Sequence, residues 1–120
     1  MKTAKAIIDW YDTYEPEKHG LDPLQKARQR LSVYCVGIAD QIRRLEGFHK
    51  VSYHERKIAE AEGFLDGDGT NAERTAQSIN KDLRLAEAHY EGELKGLKIM
   101  LDTYFKVLDS MASQINVLNR

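Results

Sequence analysis

Little in this chain of 120 residues interrupts a helix. The only two prolines are Pro16 and Pro23, so the residue that most strongly breaks helices is missing from everything that follows. A single cysteine, Cys35, excludes an internal disulfide framework and fits a reducing cytoplasm. No apolar run approaches the roughly 18 residues that span a bilayer, so no membrane partner is expected. The segment Met1-Lys2-Thr3-Ala4-Lys5 runs into Asp9 and Asp12, charges that do not suit a secretory leader. No Ser/His/Asp set, phosphate-cradling glycine loop or Cys-x-x-Cys pair is found, and neither enzyme chemistry nor a cofactor is expected.

What is present favours long solvated helices. Charged residues make up 31%, and a hydrophobic fraction of 42% is too high for a disordered chain. This length predicts one helical domain, 1-120, with a modest core and no deep enzyme cleft. The net charge of −1 conceals a division. Residues 24–57 carry eight Lys or Arg against three Asp or Glu, while both flanking segments are acidic. A basic segment of that kind meets nucleic acid or pairs with acidic protein surface, its own or a partner's.

Leu83, Tyr90, Leu97, Tyr104, Met111 and Leu118 recur every seven residues, and Leu94, Leu101, Leu108 and Ile115 interleave with them. Alternating 3–4 spacing of this kind lays an apolar stripe along one helix, as in a coiled coil. A Thr70-Asn71-Ala72-Glu73 capping box opens that helix, predicted over 70–118. Upstream, Leu24, Leu31, Ile38 and Leu45 repeat every seven, with Cys35 and Ile42 between them. Asp22 as N-cap, Pro23 and Gln25 supply the start of a helix over 22–65. Past Gly47 the stripe is expected to rotate onto Val51, Ile58 and Leu65. Near Glu87–Leu94 the last helix is expected to rotate as well, with Ala86 taking the place three residues after Leu83. Folded at Asp68, the chain brings Gly47 level with His89, so both rotations fall at one height.

The spacing therefore predicts an all-α fold: a long antiparallel helical hairpin, about 60 Å at 1.5 Å per residue, preceded by a short helix over 3–14. The segment Glu15–Gly20 reads as a connector. Two helices cover only one side of each other, and the aromatics Tyr34, Phe48, Tyr53, Phe64, Tyr90, Tyr104 and Phe105 are more than a single seam needs. A homo-oligomeric bundle, dimeric or larger, is the expected outcome.

Candidate sites follow from the residues left over. Arg43, Arg44, Lys50, Tyr53, Arg56 and Lys57, with Arg28 and Arg30 before them, form the basic segment that would meet nucleic acid or a protein partner. Ala88, Gly92 and Gly96 make a small-residue strip suited to close helix packing, within the chain or with a partner. Glu46-Gly47-Phe48-His49 has the Glu-x-x-His spacing of carboxylate-bridged di-metal bundles, with His89 near that level. A polar layer where the two helices change register explains Glu46, His49 and His89 more simply. Asp66-Gly67-Asp68-Gly69 fails as an EF-hand loop in either register, because the sixth and twelfth positions never both fit.

The stretch Ala59-Glu60-Ala61-Glu62-Gly63-Phe64-Leu65, then Gly69-Thr70-Asn71-Ala72-Glu73-Arg74-Thr75-Ala76, resembles small all-helical proteins of tailed phages and prophages, whose turn reads Gly-Thr-x-Ala-Glu-Arg. The resemblance covers roughly residues 50–118. It implies a phage accessory factor in the host cytoplasm, acting near single-strand annealing recombinases or in host defence. It supplies no catalytic residues. The expectation is a non-enzymatic, oligomeric protein that binds a protein partner. Direct DNA binding through the 24–57 helix and a di-metal carboxylate bundle are the alternatives.

Overall fold

The computed structural model describes the backbone of residues 3–66 and 70–120, and the side chains of residues 3–62 and 81–120. Four helices follow in chain order: α1 (Ala4–Asp12), α2 (Pro16–His19), α3 (Leu21–Asp66) and α4 (Thr70–Leu118). Helices α3 and α4 pair as an antiparallel hairpin. Phe48 stacks near Tyr90, Arg56 reaches Glu87 and Arg84 reaches Glu60, so numbers fall on α4 as they rise on α3. Phe48 beside Tyr90 also matches the expected level of Gly47 against His89. The Thr70 capping box and Leu65 lie outside the described side chains.

Contacts divide the expected single domain into two compact units. The first comprises the residues up to Asp40 together with Lys98–Arg120. Thr3 opens α1 by accepting a 3.1 Å hydrogen bond from the Ala6 N–H, which satisfies one free donor of the first turn. The apolar side of α1 then closes on α3 and α4. Ala4 and Ile7 join Leu24, Ala27, Leu31, Cys35, Leu108 and Met111 in one core, with Trp10, Tyr11 and Tyr14 packed on its edge. Ile7, Leu24, Leu31 and Met111 have no exposed surface. Burial of this order stabilises each large side chain by about 1.5–3 kcal/mol. Burial also holds the Cys35 thiol above its ordinary pKa, in its protonated and unreactive form.

Two local expectations are corrected in this unit. The connector Glu15–Gly20 contains a helical turn, α2, because Pro16 at its first position is set for helix and loses no needed donor. Gly20 ends the turn at φ 74°, and the Tyr14 hydroxyl donates to its carbonyl at 2.6 Å. Asp22 is not an N-cap, since α3 already begins at Leu21. It lies in the first turn, where a carboxylate still favours the positive helix end.

The second unit, Gln41–Leu97, is a two-helix segment with far less apolar burial. Ile42 and Leu94 are its buried apolar side chains among the described residues, and Ser52 is buried as well. The expected rotation of the stripe onto Val51 and Ile58 does not occur on α3. Val51 is 55% exposed and Ile58 59%, so both point to solvent. Inward positions on α3 continue in the original phase instead: Leu45, Ser52 and Ala59 in one series, Ile42, His49 and Arg56 in the other. On α4 Ala86 and Glu87, three and four residues after Leu83, are both half-buried, with Tyr90, Leu94 and Leu97 following. The period holds and the chemistry changes. Polar residues take seam positions because partners across the seam receive them.

Candidate functional site

The polar part of the seam forms one connected network. The His49 Nε2 lies 3.0 Å from Glu91 Oε1 and 3.9 Å from Glu87 Oε1. Arg56 donates from Nε to Glu87 Oε2 at 2.6 Å, and from its terminal nitrogen to Glu60 Oε1 at 2.9 Å. Arg84 donates to the same Glu60 oxygen at 3.1 Å, and Lys57 Nζ stands 3.7 Å from the other. The interior members are mostly out of water, with Glu87 12%, Arg56 15% and Glu60 19% exposed as side chains.

Helical spacing builds this network. Arg56 and Glu60 stand one turn apart on α3, and Glu87 and Glu91 one turn apart on α4, so each pair shares a face. The carboxylates hold the Arg56 guanidinium more firmly charged, Glu87 first and Glu60 second. The Glu60 carboxyl is held below its ordinary pKa by the hydrogen bond from Arg84, and also by Arg56 and Lys57, against the opposing effect of burial.

The sequence-predicted residues separate on this frame. Arg56 turns into the seam and is committed to Glu87 and Glu60. Its guanidinium also lies 5.3 Å from the centre of the Tyr53 ring. Arg43, Arg44, Lys50, Tyr53 and Lys57 are on the exposed side of α3. Glu46 is exposed, and His89 is exposed and paired with Glu93 at 2.9 Å. Of the Glu46, His49 and His89 set, only His49 faces the opposite helix, and it meets Glu87 and Glu91 there. Ala88, Gly92 and Gly96 are exposed, and a Cβ added at either glycine meets nothing within 4 Å. The strip is therefore not a close-packing contact within the chain.

Sequence reasoning missed Glu60, Arg84, Glu87 and Glu91. A signal for Glu87 existed, since it stands on the heptad series at the position that Leu94 and Leu101 continue. The preference for an apolar residue drew attention to Ala86 instead.

Beside the network an open groove of about 550 Å³ is lined by Gln41, Arg44, Leu45 and Phe48 of α3 and by Glu93, Gly96 and Leu97 of α4. Leu45, Phe48 and Leu97 make its floor largely apolar, and the missing side chain at Gly96 widens it. No protein-family model, curated protein or solved structure matches this chain.

Proposed function

We propose that the chain is a non-enzymatic helical interaction protein that self-associates and holds a protein partner against the second unit of its hairpin. The observation that carries this reading is the imbalance of that unit. It buries Ile42 and Leu94, yet leaves Phe48 56%, Val51 55%, Ile58 59% and Leu85 62% exposed, and Phe48 lines an apolar groove. Exposed apolar side chains on a helix pair, one of them lining a groove, suit contact with another helix. The phage-type turn implies a partner in DNA metabolism or host defence within the host cytoplasm. That setting rests on the resemblance alone. No helix among the described residues is long and apolar enough to cross a membrane.

Direct DNA binding is the weaker reading. Arg56 is committed inward, and Lys57 lies near Glu60, so internal pairing occupies part of the basic segment. Native mass measurement of the full chain, paired with capture from host lysate, tests the first reading. The expected result is an oligomer and a specific partner, both lost in Phe48→Asp. A monomer that captures nothing, or DNA affinity falling steeply with salt, reverses the order of the two readings.

A further inference from the structure

Three metal-ligating atoms meet across α3 and α4 within the second unit: His49 Nε2 and one oxygen each of Glu87 and Glu91, all within 4.8 Å of one another. Donors that share one first-row ion at about 2.0–2.2 Å stand roughly 3–4 Å apart. The spacings of 3.0 Å and 3.9 Å from His49 Nε2 are already in that range. The geometry points to a site for one divalent transition ion held by His49, Glu87 and Glu91, with zinc the best-matched probe.

The site is set by helices rather than loops. His49 and Glu87 stand on seam positions, and Glu91 follows Glu87 by one turn on the same face. Glu87 is largely withdrawn from water, and Arg56 holds its Oε2, leaving Oε1 turned toward His49. At 3.9 Å that oxygen is too far for a hydrogen bond to Nε2. Glu60 in turn matches the charge of Arg56, which moderates its repulsion of an incoming cation.

The donor chemistry narrows the ion. One imidazole and two carboxylates suit Zn²⁺, Mn²⁺ or Fe²⁺, whereas Ca²⁺ takes six to eight oxygens and Mg²⁺ retains most of its water. Two carboxylates neutralise a divalent charge, and a neutral imidazole protonated at Nδ1 offers Nε2 as its lone-pair donor. The ion replaces the His49–Glu91 hydrogen bond and clamps α3 to α4 where apolar burial is thin.

Zinc chloride is titrated into the chelator-treated full-length chain by calorimetry, with Co²⁺ absorption as a second readout. One ion per chain is expected. Glu91→Gln and His49→Gln should each weaken uptake at least tenfold, and His89→Gln should leave it unchanged. Glu91 is exposed, so its variant tests the site even if the His49 variant misfolds, and circular dichroism checks both. Absence of uptake, uptake indifferent to both variants, or equal loss in His89→Gln overturns the assignment.

Discussion

Leu24, Leu31 and Cys35 fill the seam of α3 in the first unit, while Leu45, His49, Ser52 and Arg56 fill equivalent positions in the second. The facing positions on α4 differ in the same sense: Leu108 and Met111 in the first unit, Glu87 and Leu94 in the second. Side chains point inward at the same period in both. What holds the helices together does not follow from that period. Apolar contacts are non-directional and tolerate small slips, whereas the Arg56–Glu87 and His49–Glu91 contacts each demand one alignment. The first unit is thus built for stability. The second gains a defined register and a chemically distinct surface at a cost in apolar burial.

The largest expected effect sets the scale of that difference. Leu31 has no exposed surface, and Leu31→Ala should destabilise the chain by about 2–5 kcal/mol, because truncation removes transfer energy and leaves a cavity. Leu45, in the same series but only half-buried, should cost clearly less when truncated. Urea unfolding of both variants measures the gap. Equal costs would break the comparison, since the second unit would then hold an apolar core as effective as the first.

Next in size is the loss of the guanidinium. Arg56→Gln leaves Glu87 and Glu60 without their shared cation and should lower the thermal midpoint while helix content in the cold is retained. Acid should reproduce part of this in the native chain. The Glu60 carboxyl is depressed in the folded state, so its contribution is fully present above the unfolded carboxylate pKa. It is lost as pH falls through the lower folded value, beginning below about pH 4.3. Amide exchange across that interval should therefore quicken in the second unit before the first.

Converting the seam tests whether polarity there serves stability at all. His49→Leu, Arg56→Leu and Glu87→Leu made together continue the apolar series of the first unit. Replacing an inward ion pair by packed apolar groups is often neutral or stabilising, so the midpoint should hold or rise. A sharp drop would mean that the polar contacts do more than set alignment.

The same contrast explains how much was readable beforehand. Heptad spacing and breakers placed α4 at its observed bounds and α3 within one residue at each end. The first core was legible because Leu24, Leu31 and Cys35 announce themselves as apolar. Past Gly47 apolarity points to Val51 and Ile58, whereas the period continues to Ser52 and Arg56. Only the opposite helix reveals why polar groups belong there: Arg56 meets Glu87 across 31 residues of sequence. His49 and Arg56 were named for their chemistry. Their partners required the pairing of two helices, which no local pattern encodes.

The smallest effect separates a free surface from a used one. Gly47 and Gly96 both lie inside helices, and a Cβ at either position meets nothing within 4 Å. Each glycine gives the unfolded chain extra freedom, so Gly47→Ala and Gly96→Ala should each stabilise a lone chain by about 0.4–1 kcal/mol. They part on concentration. Gly96 lines the apolar groove whereas Gly47 does not, so a docked helix would sense the added methyl only at Gly96. Sedimentation across a dilution series should show self-association weakened in Gly96→Ala and unchanged in Gly47→Ala. Identical behaviour of the two would remove the groove from the contact surface and leave Val51, Ile58 and Leu85 to account for it.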